Sequence, residues 1–329
     1  MTLGLFEHIT GSTRAMARMS IVVALSGVAL GLLAIAMWSA RNSEAATVQN
    51  VVVAAPSARL VQSKRAATPI EISDNALPSK VTRMGNVIVW HPLAVEADGS
   101  YDVIIHFHGV QLALEPAMRE ARLRAVLIIV NDGLMAESYR DGHGAPGTLD
   151  RLLLALHTHV AKAFNRDDVH TRRVAVSAWS AGFGAVAPML RREADVARLD
   201  AVLVSDGLHS AFTDPKRRLV ADSQLDFVVN FAKRAIGHDK LFGITHTAIQ
   251  TPDFASTTET AQKLLGLLAM TPDMILDADQ GRAPVLTSVA ERGDFVLLGY
   301  DGNDKHAHAV QQWALGRTLW SRLAERWNH

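Results

Sequence analysis

Short apolar runs alternate with segments of helical periodicity over most of the chain after residue 80. Most of these runs are β-branched and apolar on both faces, which is typical of strands buried on both sides of a parallel sheet. The predicted strands are Val87–Trp90, Val103–Phe107, Val126–Val130, Val174–Ala178, Ala201–Val204, Phe242–Thr245 and Phe295–Leu298. The predicted helices are Pro116–Arg124, Leu149–Phe164, Gly182–Arg192, Gln224–Ile236, Thr257–Met270 and Ala309–Arg326. This alternation predicts a doubly wound, mostly parallel α/β sheet with helices on both faces, and such sheets bind ligands at the carboxyl ends of their strands.

The N-terminal region has a different pattern. Arg14 and Arg18 precede the uncharged apolar run Met19–Trp38, which has about the length that a membrane-spanning helix needs. The basic flank predicts that the rest of the chain lies outside the cytoplasm, in the periplasm, in the medium or on a membrane anchor. Small residues at Ser39–Ala40 and Glu44–Ala46 are candidate cleavage positions, so a cleaved signal peptide and an uncleaved anchor both stay open.

These patterns predict three regions along the chain. Residues 1–45 form a signal peptide or membrane anchor, and residues 46–80 form a linker with a possible edge strand at Gln49–Ala54. Residues 81–329 form one α/β domain, which is an ordinary length for a single domain of this class.

Composition narrows the function classes. Apolar residues make up 49% of the 329-residue chain and charged residues 20%, and the formal net charge is zero. This balance is typical of a globular protein and gives no electrostatic reason to expect a nucleic-acid partner. The chain has no cysteine, which excludes disulfides, thiolate catalysis and cysteine-ligated metal sites.

A candidate nucleophile lies where the strand Val174–Ala178 gives way to a helix. Ser180 is flanked two residues away on each side by Ala178 and Gly182, both small. A serine on a tight strand-to-helix turn needs small neighbours, because the two backbones nearly touch there. A helix-capping serine is the alternative interpretation. The small residues and the apolar strand before the turn favour the nucleophile.

This turn resembles the nucleophile elbow of the α/β-hydrolase superfamily, usually Gly-x-Ser-x-Gly, with Ala178 in place of the first glycine. The resemblance implies a serine hydrolase that needs no cofactor and cleaves a carboxylic ester or amide through an acyl-enzyme. It also implies an oxyanion hole formed by the amide of Ala181 and by that of Gly109 or Val110, because His-Gly ends the strand Val103–Phe107. The expected partners are small-molecule or polymer ester substrates, with no nucleic acid, and a membrane only if the N-terminal segment is uncleaved.

The same resemblance places an acid and then a histidine after the serine in the chain. His306 and His308 both lie in the polar loop after the last strand, and His308 is preferred because it begins the final helix. Asp206 follows the strand Ala201–Val204 and is the preferred acid, with Asp253 in reserve. Asp304 is expected to face water.

Two other features leave alternatives open. His106 and His108 are two residues apart on one strand and are expected to share a face, which also suits a metal-dependent hydrolase. A non-catalytic binding protein on the same scaffold is the third hypothesis. The glycine-rich segment 131–147 is expected to be a long loop that shapes a pocket, where Tyr139, Arg140 and His143 contact a polar substrate or lie on the surface.

Overall fold

Ten strands of one twisted sheet organise the part of the chain that the computed structural model describes, residues 79–85, 87–92, 95–275 and 284–328. The strands are β1 Ser79–Met84, β2 Val87–Pro92, β3 Ser100–Phe107, β4 Ala125–Val130, β5 His170–Trp179, β6 Ala201–Ser205, β7 Leu241–Thr247, β8 Asp273–Met274, β9 Leu286–Arg292 and β10 Phe295–Tyr300. The helices are α1 Gln111–Glu120, α2 Ala136–His143, α3 Thr148–Phe164, α4 Phe183–Leu190, α5 Glu193–Arg198, α6 Asp226–Ile236, α7 Thr257–Leu267, α8 Lys305–Trp313 and α9 Leu319–Trp327.

The sheet runs in the order β1-β2-β4-β3-β5-β6-β7-β10-β9-β8. The neighbours from β4 to β10 pair in parallel, and antiparallel strands complete both edges. Because the parallel strands have the same direction, β3, β5, β6, β7 and β10 all end at one edge of the sheet. The predicted doubly wound, mostly parallel sheet is confirmed.

Alternate residues along the central strands pack into two separate cores. On β3, Val103, Ile105 and Phe107 face the helices α2–α7, whereas Ile104 faces α1 and α9. Trp320 of α9 is fully buried against this second face. Both faces of the sheet are therefore covered, which explains the continuous apolar runs in the sequence.

One loop prediction and two helix predictions differ from the structure. The segment 131–147 contains α2, because burial of Tyr139 and close packing of the Ala136 carbonyl against Gly184 of α4 outweigh its glycine content. The predicted helix Ala309–Arg326 is two helices, α8 and α9, since the turn around Gly316 lies directly against the backbone of α1.

Helix α1 begins at Gln111 and not at Pro116, and Ala113 and Leu114 before the proline are buried with Ala117 after it. Strands β1, β8 and β9 were not predicted. The apolar run Met19–Trp38 and the possible strand Gln49–Ala54 lie outside the described residues. Within the described ranges, none of the helices is both long enough and apolar enough to cross a bilayer.

Candidate active site

Three adjacent strands end in the same unusual backbone conformation. His108 follows β3, Ser180 follows β5 and Asp206 follows β6, with φ angles of 65°, 51° and 43°. A left-handed conformation costs a non-glycine residue on the order of 1–2 kcal/mol, and such residues cluster at functional sites. This conformation turns the backbone sharply after each of the three strands, at the carboxyl edge of the sheet, and directs the three side chains towards one region.

At the turn that contains Ser180 the neighbouring backbones come so close that only glycine fits beside them. A Cβ on Gly182 would lie 2.2 Å from the carbonyl oxygen of Phe107, and a Cβ on Gly207 would lie 2.7 Å from that of Ser180. Either contact is far shorter than real side chains tolerate, so larger residues would displace the turn. The small residues of the sequence motif therefore have the steric role expected of them.

The hydroxyl of Ser180 lies 2.8 Å from Nε2 of His308. The other ring nitrogen of His308, Nδ1, lies 2.6 Å from Oδ2 of Asp206. With Asp206 ionised, Nδ1 carries the proton and donates a hydrogen bond to the carboxylate, which leaves Nε2 to accept a hydrogen bond from the serine. The structure thus brings together Ser180, His308 and Asp206, three residues far apart in the sequence.

Asp206 is buried, yet its environment favours the charged form. Besides His308, its carboxylate accepts hydrogen bonds from the amide and hydroxyl of Thr247 (3.0 and 2.8 Å) and from the hydroxyl of Thr257 (2.7 Å). Burial alone would raise the pKa of Asp206, but the hydrogen bonds and the charge of His308 outweigh it and hold the pKa below its ordinary value. The carboxylate can therefore orient the imidazole and stabilise it when it is protonated.

The reserve candidates lie elsewhere. His306 is exposed in the first turn of α8, and Asp253 is exposed in the segment after β7. Asp304 caps α8 by accepting a hydrogen bond from the amide of Ala307 at 2.8 Å, and it is exposed as expected. The contacts of Ser180 thus single out His308, and those of His308 single out Asp206.

Trp179 is stacked between two histidine rings. Its ring centroid lies 4.7 Å from that of His308 and 5.0 Å from that of His108. Its indole Nε1 donates a 3.1 Å hydrogen bond to the carbonyl oxygen of His308. His108 Nδ1 in turn lies 2.8 Å from the hydroxyl of Tyr139. The residue before Ser180 therefore holds both the ring and the backbone of His308.

The three amides expected to form the oxyanion hole differ in their surroundings. The amide of Ala181 lies in the short 3₁₀ turn Ser180–Gly182 that begins α4. The amide of Gly109 donates to Oδ1 of Asn131 at 2.9 Å, and that of Val110 donates to Oε1 of Gln312 at 3.3 Å. Side-chain carbonyls accept from both of these amides in this structure, and the choice of Gly109 or Val110 as an oxyanion donor stays a prediction.

His106 and His108 do not share one face. The His106 ring is buried beside Trp320 and bonds to Ser177 Oγ at 2.9 Å, whereas the His108 ring lies between Trp179 and Tyr139. The positive φ of His108 ends the alternation of the strand and separates the two rings. Across the described ranges, no group of three or more histidine or carboxylate side chains is arranged to hold a metal ion.

The polar residues of segment 131–147 have mainly structural contacts. Tyr139 is fully buried and donates to the carbonyl of Gly133 at 3.0 Å. His143 Nε2 lies 2.6 Å from a carboxylate oxygen of Asp132. Arg140 is exposed and lies 3.7 Å from Asp141. Of the three candidate substrate contacts, only Arg140 presents its charge to solvent.

Sequence reasoning missed the residues that support the central three. Trp179 occupies the variable position of the elbow motif, and Thr257 directly follows Ser256, whose side chain caps α7. Gln312 lies four residues after His308, so both occupy one side of α8. Position relative to a predicted motif is the signal that could have found them.

An uncharged hydroxyl is a weak nucleophile until a base accepts its proton. The described geometry provides a hydroxyl at a strained turn, an imidazole nitrogen within hydrogen-bond distance and a buried carboxylate that bonds to the other ring nitrogen. Such an arrangement can transfer a proton from serine to histidine while the serine oxygen attacks an electrophilic carbon.

No protein-family model and no curated protein matches the chain. Solved structures that resemble it include three esterases. A cold-adapted esterase from an Arctic intertidal metagenomic library is 12% identical and aligns over 73% of this chain and 86% of its own, with a TM-score of 0.39. The hyperthermophilic esterase of Pyrobaculum calidifontis is 13% identical over 73% and 79%, with a TM-score of 0.37. The feruloyl esterase module of Clostridium thermocellum is 9% identical over 82% and 95%, with a TM-score of 0.45.

Proposed function

We propose that this chain is a serine hydrolase of the α/β-hydrolase superfamily that cleaves a carboxylic ester through an acyl-enzyme. The observation that carries the proposal is the continuous hydrogen-bonded path from the hydroxyl of Ser180 through both nitrogens of His308 to the carboxylate of Asp206. All three residues lie at the sheet edge where ligands of doubly wound folds bind.

In the proposed reaction, Ser180 Oγ attacks the ester carbonyl carbon while its proton passes to His308 Nε2. The tetrahedral intermediate carries a negative oxygen, which backbone amides at the turn stabilise. The intermediate collapses, the carbon–oxygen bond to the alcohol breaks, and His308 gives its proton to the departing alcohol. Water, deprotonated by His308, then attacks the acyl-serine and releases the acid and the free hydroxyl of Ser180.

Side chains on the neighbouring loops favour an uncharged, partly apolar ester. Val110 follows the strained end of β3, and its side chain is 52% exposed. Leu134 and Met135 are 60% and 65% exposed and directly precede α2, whose first residue packs on α4 behind the elbow. Apolar side chains exposed beside a reactive group commonly contact ligands.

The test is covalent labelling with an alkyl fluorophosphonate, which reacts with activated serines. The Ser180–phosphorus bond forms, fluoride leaves, and intact-mass analysis reports one adduct per chain. We expect the wild type and the matched variant Ser177→Ala to be labelled, and Ser180→Ala to remain unlabelled. A panel of short-chain p-nitrophenyl esters should show turnover with the same pattern.

The competing hypotheses give different results. Turnover that a chelator abolishes and the fluorophosphonate leaves intact would support a metal-dependent hydrolase. A chain that neither reacts with the probe nor turns over any ester would support a binding protein. Equal labelling of wild type and Ser180→Ala would move the nucleophile to another residue.

We also propose that the domain after the N-terminal apolar run is exported from the cytoplasm. The basic flank and apolar run at the N-terminus motivate it. Fusion of an alkaline phosphatase reporter after residue 329 should give an active reporter only if the domain is outside the cytoplasm. An inactive reporter in intact cells would contradict export.

A further inference from the structure

The three-residue loop between β3 and α1, His108–Val110, is held on two sides by side-chain amides. Asn131 accepts from the amide of Gly109 at 2.9 Å and donates to its carbonyl oxygen at 2.8 Å. Gln312 accepts from the amide of Val110 and donates to the carbonyl oxygen of His108, both at 3.3 Å. Each side chain therefore forms a two-bond clamp on the loop.

The two clamps differ in strength. The Asn131 bonds have the usual length for N–H···O hydrogen bonds, whereas the Gln312 bonds are longer than the usual range. Gly109 is also fixed by packing, since a Cβ there would lie 2.7–2.8 Å from His106 and Leu114. Val110 has an exposed side chain and no such enclosure. The Val110 amide is the donor that can change partner at the lower cost.

Gln312 is also tied to the candidate base. It is buried one helical turn after His308 on α8, and Trp179 holds the carbonyl of His308. Trp179 stacks on His108, the first residue of the clamped loop. The helix that carries the base therefore also carries the residue that occupies the Val110 amide.

We propose that Gln312 is a positioning residue that occupies the Val110 amide in the free protein and yields it to the oxyanion of a bound ester. The inference rests on the proposed function. A hydrogen bond to an anionic oxygen is about twice as strong as one to a neutral amide carbonyl, so the intermediate displaces Gln312. The Gly109 amide stays bonded to Asn131 and does not contact the substrate.

Selective NMR labelling can follow both amides separately in the full-length chain. Gly–Val occurs in the sequence only at residues 27–28 and 109–110, and His–Gly only at 108–109 and 143–144. Labelling carbonyl carbons of glycine and nitrogens of valine thus reduces the amide signals to those of Val28 and Val110, and the histidine–glycine combination reduces them to those of Gly109 and Gly144. The phosphonate adduct on Ser180 places a strongly polarised phosphoryl oxygen where the oxyanion would lie.

We expect adduct formation to shift the Val110 amide proton downfield and to leave the Gly109 amide unchanged. In Gln312→Met the free-state Val110 signal should already differ from wild type, whereas the adduct signals of the two proteins should coincide. Gln311→Met is the matched control, because neither amide atom of the buried Gln311 side chain has a hydrogen-bond partner within the described ranges. Its Val110 signals should match wild type in both states.

Other results would overturn the inference. A Gly109 signal that moves while Val110 stays would assign the oxyanion to Gly109. Different Val110 signals in the two adducts would mean that Gln312 keeps its bond. A wild-type chain whose mass does not increase with the probe would overturn the proposed function and this inference together, whereas labelling without a Val110 shift would overturn the inference alone.

Discussion

Two serines close together in the chain, in β5 and directly after it, each lie within hydrogen-bond distance of a histidine ring. Ser180 Oγ is 2.8 Å from His308 Nε2, and Ser177 Oγ is 2.9 Å from His106 Nδ1. The serine–histidine distance alone would rank them equally. The pairs differ in what lies behind each ring.

The second nitrogen of the imidazole separates them. His308 Nδ1 bonds to the carboxylate of Asp206, which can stabilise a positive ring. His106 Nε2 is buried and has no hydrogen-bond partner within the described ranges. Burial lowers the pKa of His106 to about 3, so this ring resists accepting a proton. A base needs a stabilised protonated form, and only His308 has one.

The two hydroxyls also differ in access. Ser177 is fully buried inside β5, and its oxygen additionally accepts a hydrogen bond from the indole of Trp320 at 3.1 Å. Ser180 lies after the strand in a left-handed conformation that turns it away from the sheet. The same pair of residue types therefore serves packing in one place and can serve chemistry in the other.

Replacing each histidine by glutamine should reveal the largest difference in activity between the two serine–histidine pairs. We expect His308→Gln to lower kcat/KM for a p-nitrophenyl ester by about 10⁴-fold or more, since the serine loses its base. His106→Gln should change it by less than about 10-fold when rates are normalised to the concentration of phosphonate-reactive sites.

His306→Gln is the control for α8, because that ring is exposed and two residues from the base. Its kcat/KM should equal that of the wild type. A large loss in His306→Gln with activity retained in His308→Gln would assign the base to His306.

The carboxylate of Asp206 bonds to His308, whereas His106 has no such partner within the described ranges. Removing this carboxylate should therefore make the two serine–histidine pairs more alike in reactivity. We expect Asp206→Asn to lower kcat by about 10⁴-fold, because the neutral amide neither orients nor stabilises the imidazolium. Steady-state kinetics with the same ester would measure it. Asp253→Asn, at the exposed reserve candidate, should retain wild-type activity, and the reverse result would contradict the role of Asp206.

The sequence predicts the central sheet and Ser180 through local patterns, and it indicates Asp206 and His308 through the residue order that the family resemblance implies. Apolar runs mark the buried strands, and small residues mark the turn at Ser180. The sequence could not predict α2, whose stability comes from packing Tyr139 and Ala136 against distant elements. It also could not separate Ser177 from Ser180 by hydrogen bonding, since their histidines lie 71 and 128 residues away.

The lowered pKa of His106 should make the free energy of unfolding depend on pH. His106 is neutral in the fold, whereas the unfolded chain binds a proton there as pH falls below about 6.5. The stability that its depressed pKa contributes is present above that pH and is lost as pH falls towards about 3. Between pH 7 and pH 4.5 we expect the free energy of unfolding of the wild type to fall by about 2–3 kcal/mol more than that of His106→Gln.

Urea unfolding at the two pH values would measure this difference, with His306→Gln as the control that keeps the wild-type dependence. Equal pH dependence in the wild type and His106→Gln would mean that His106 is not held neutral by the fold.

The donors to Asp206 should give the smallest effect. Thr257→Val removes one of the hydrogen bonds that hold the pKa of Asp206 below its ordinary value, so that pKa should rise while the remaining donors keep the carboxylate charged near neutral pH. We expect a decrease of about 3-fold in kcat at pH 8 and a larger one at acidic pH, where protonation of Asp206 begins to compete. Thr260→Val is the matched control in α7, because within the described ranges its buried hydroxyl donates to the carbonyl of Ser256 and not to Asp206. Suppose that the dependence of kcat on pH is the same in Thr257→Val and Thr260→Val down to the pH at which the protein unfolds. Thr257 would then support packing alone, and the difference between the two serine–histidine pairs would lie in His308 and Asp206 and not in the groups that donate to Asp206.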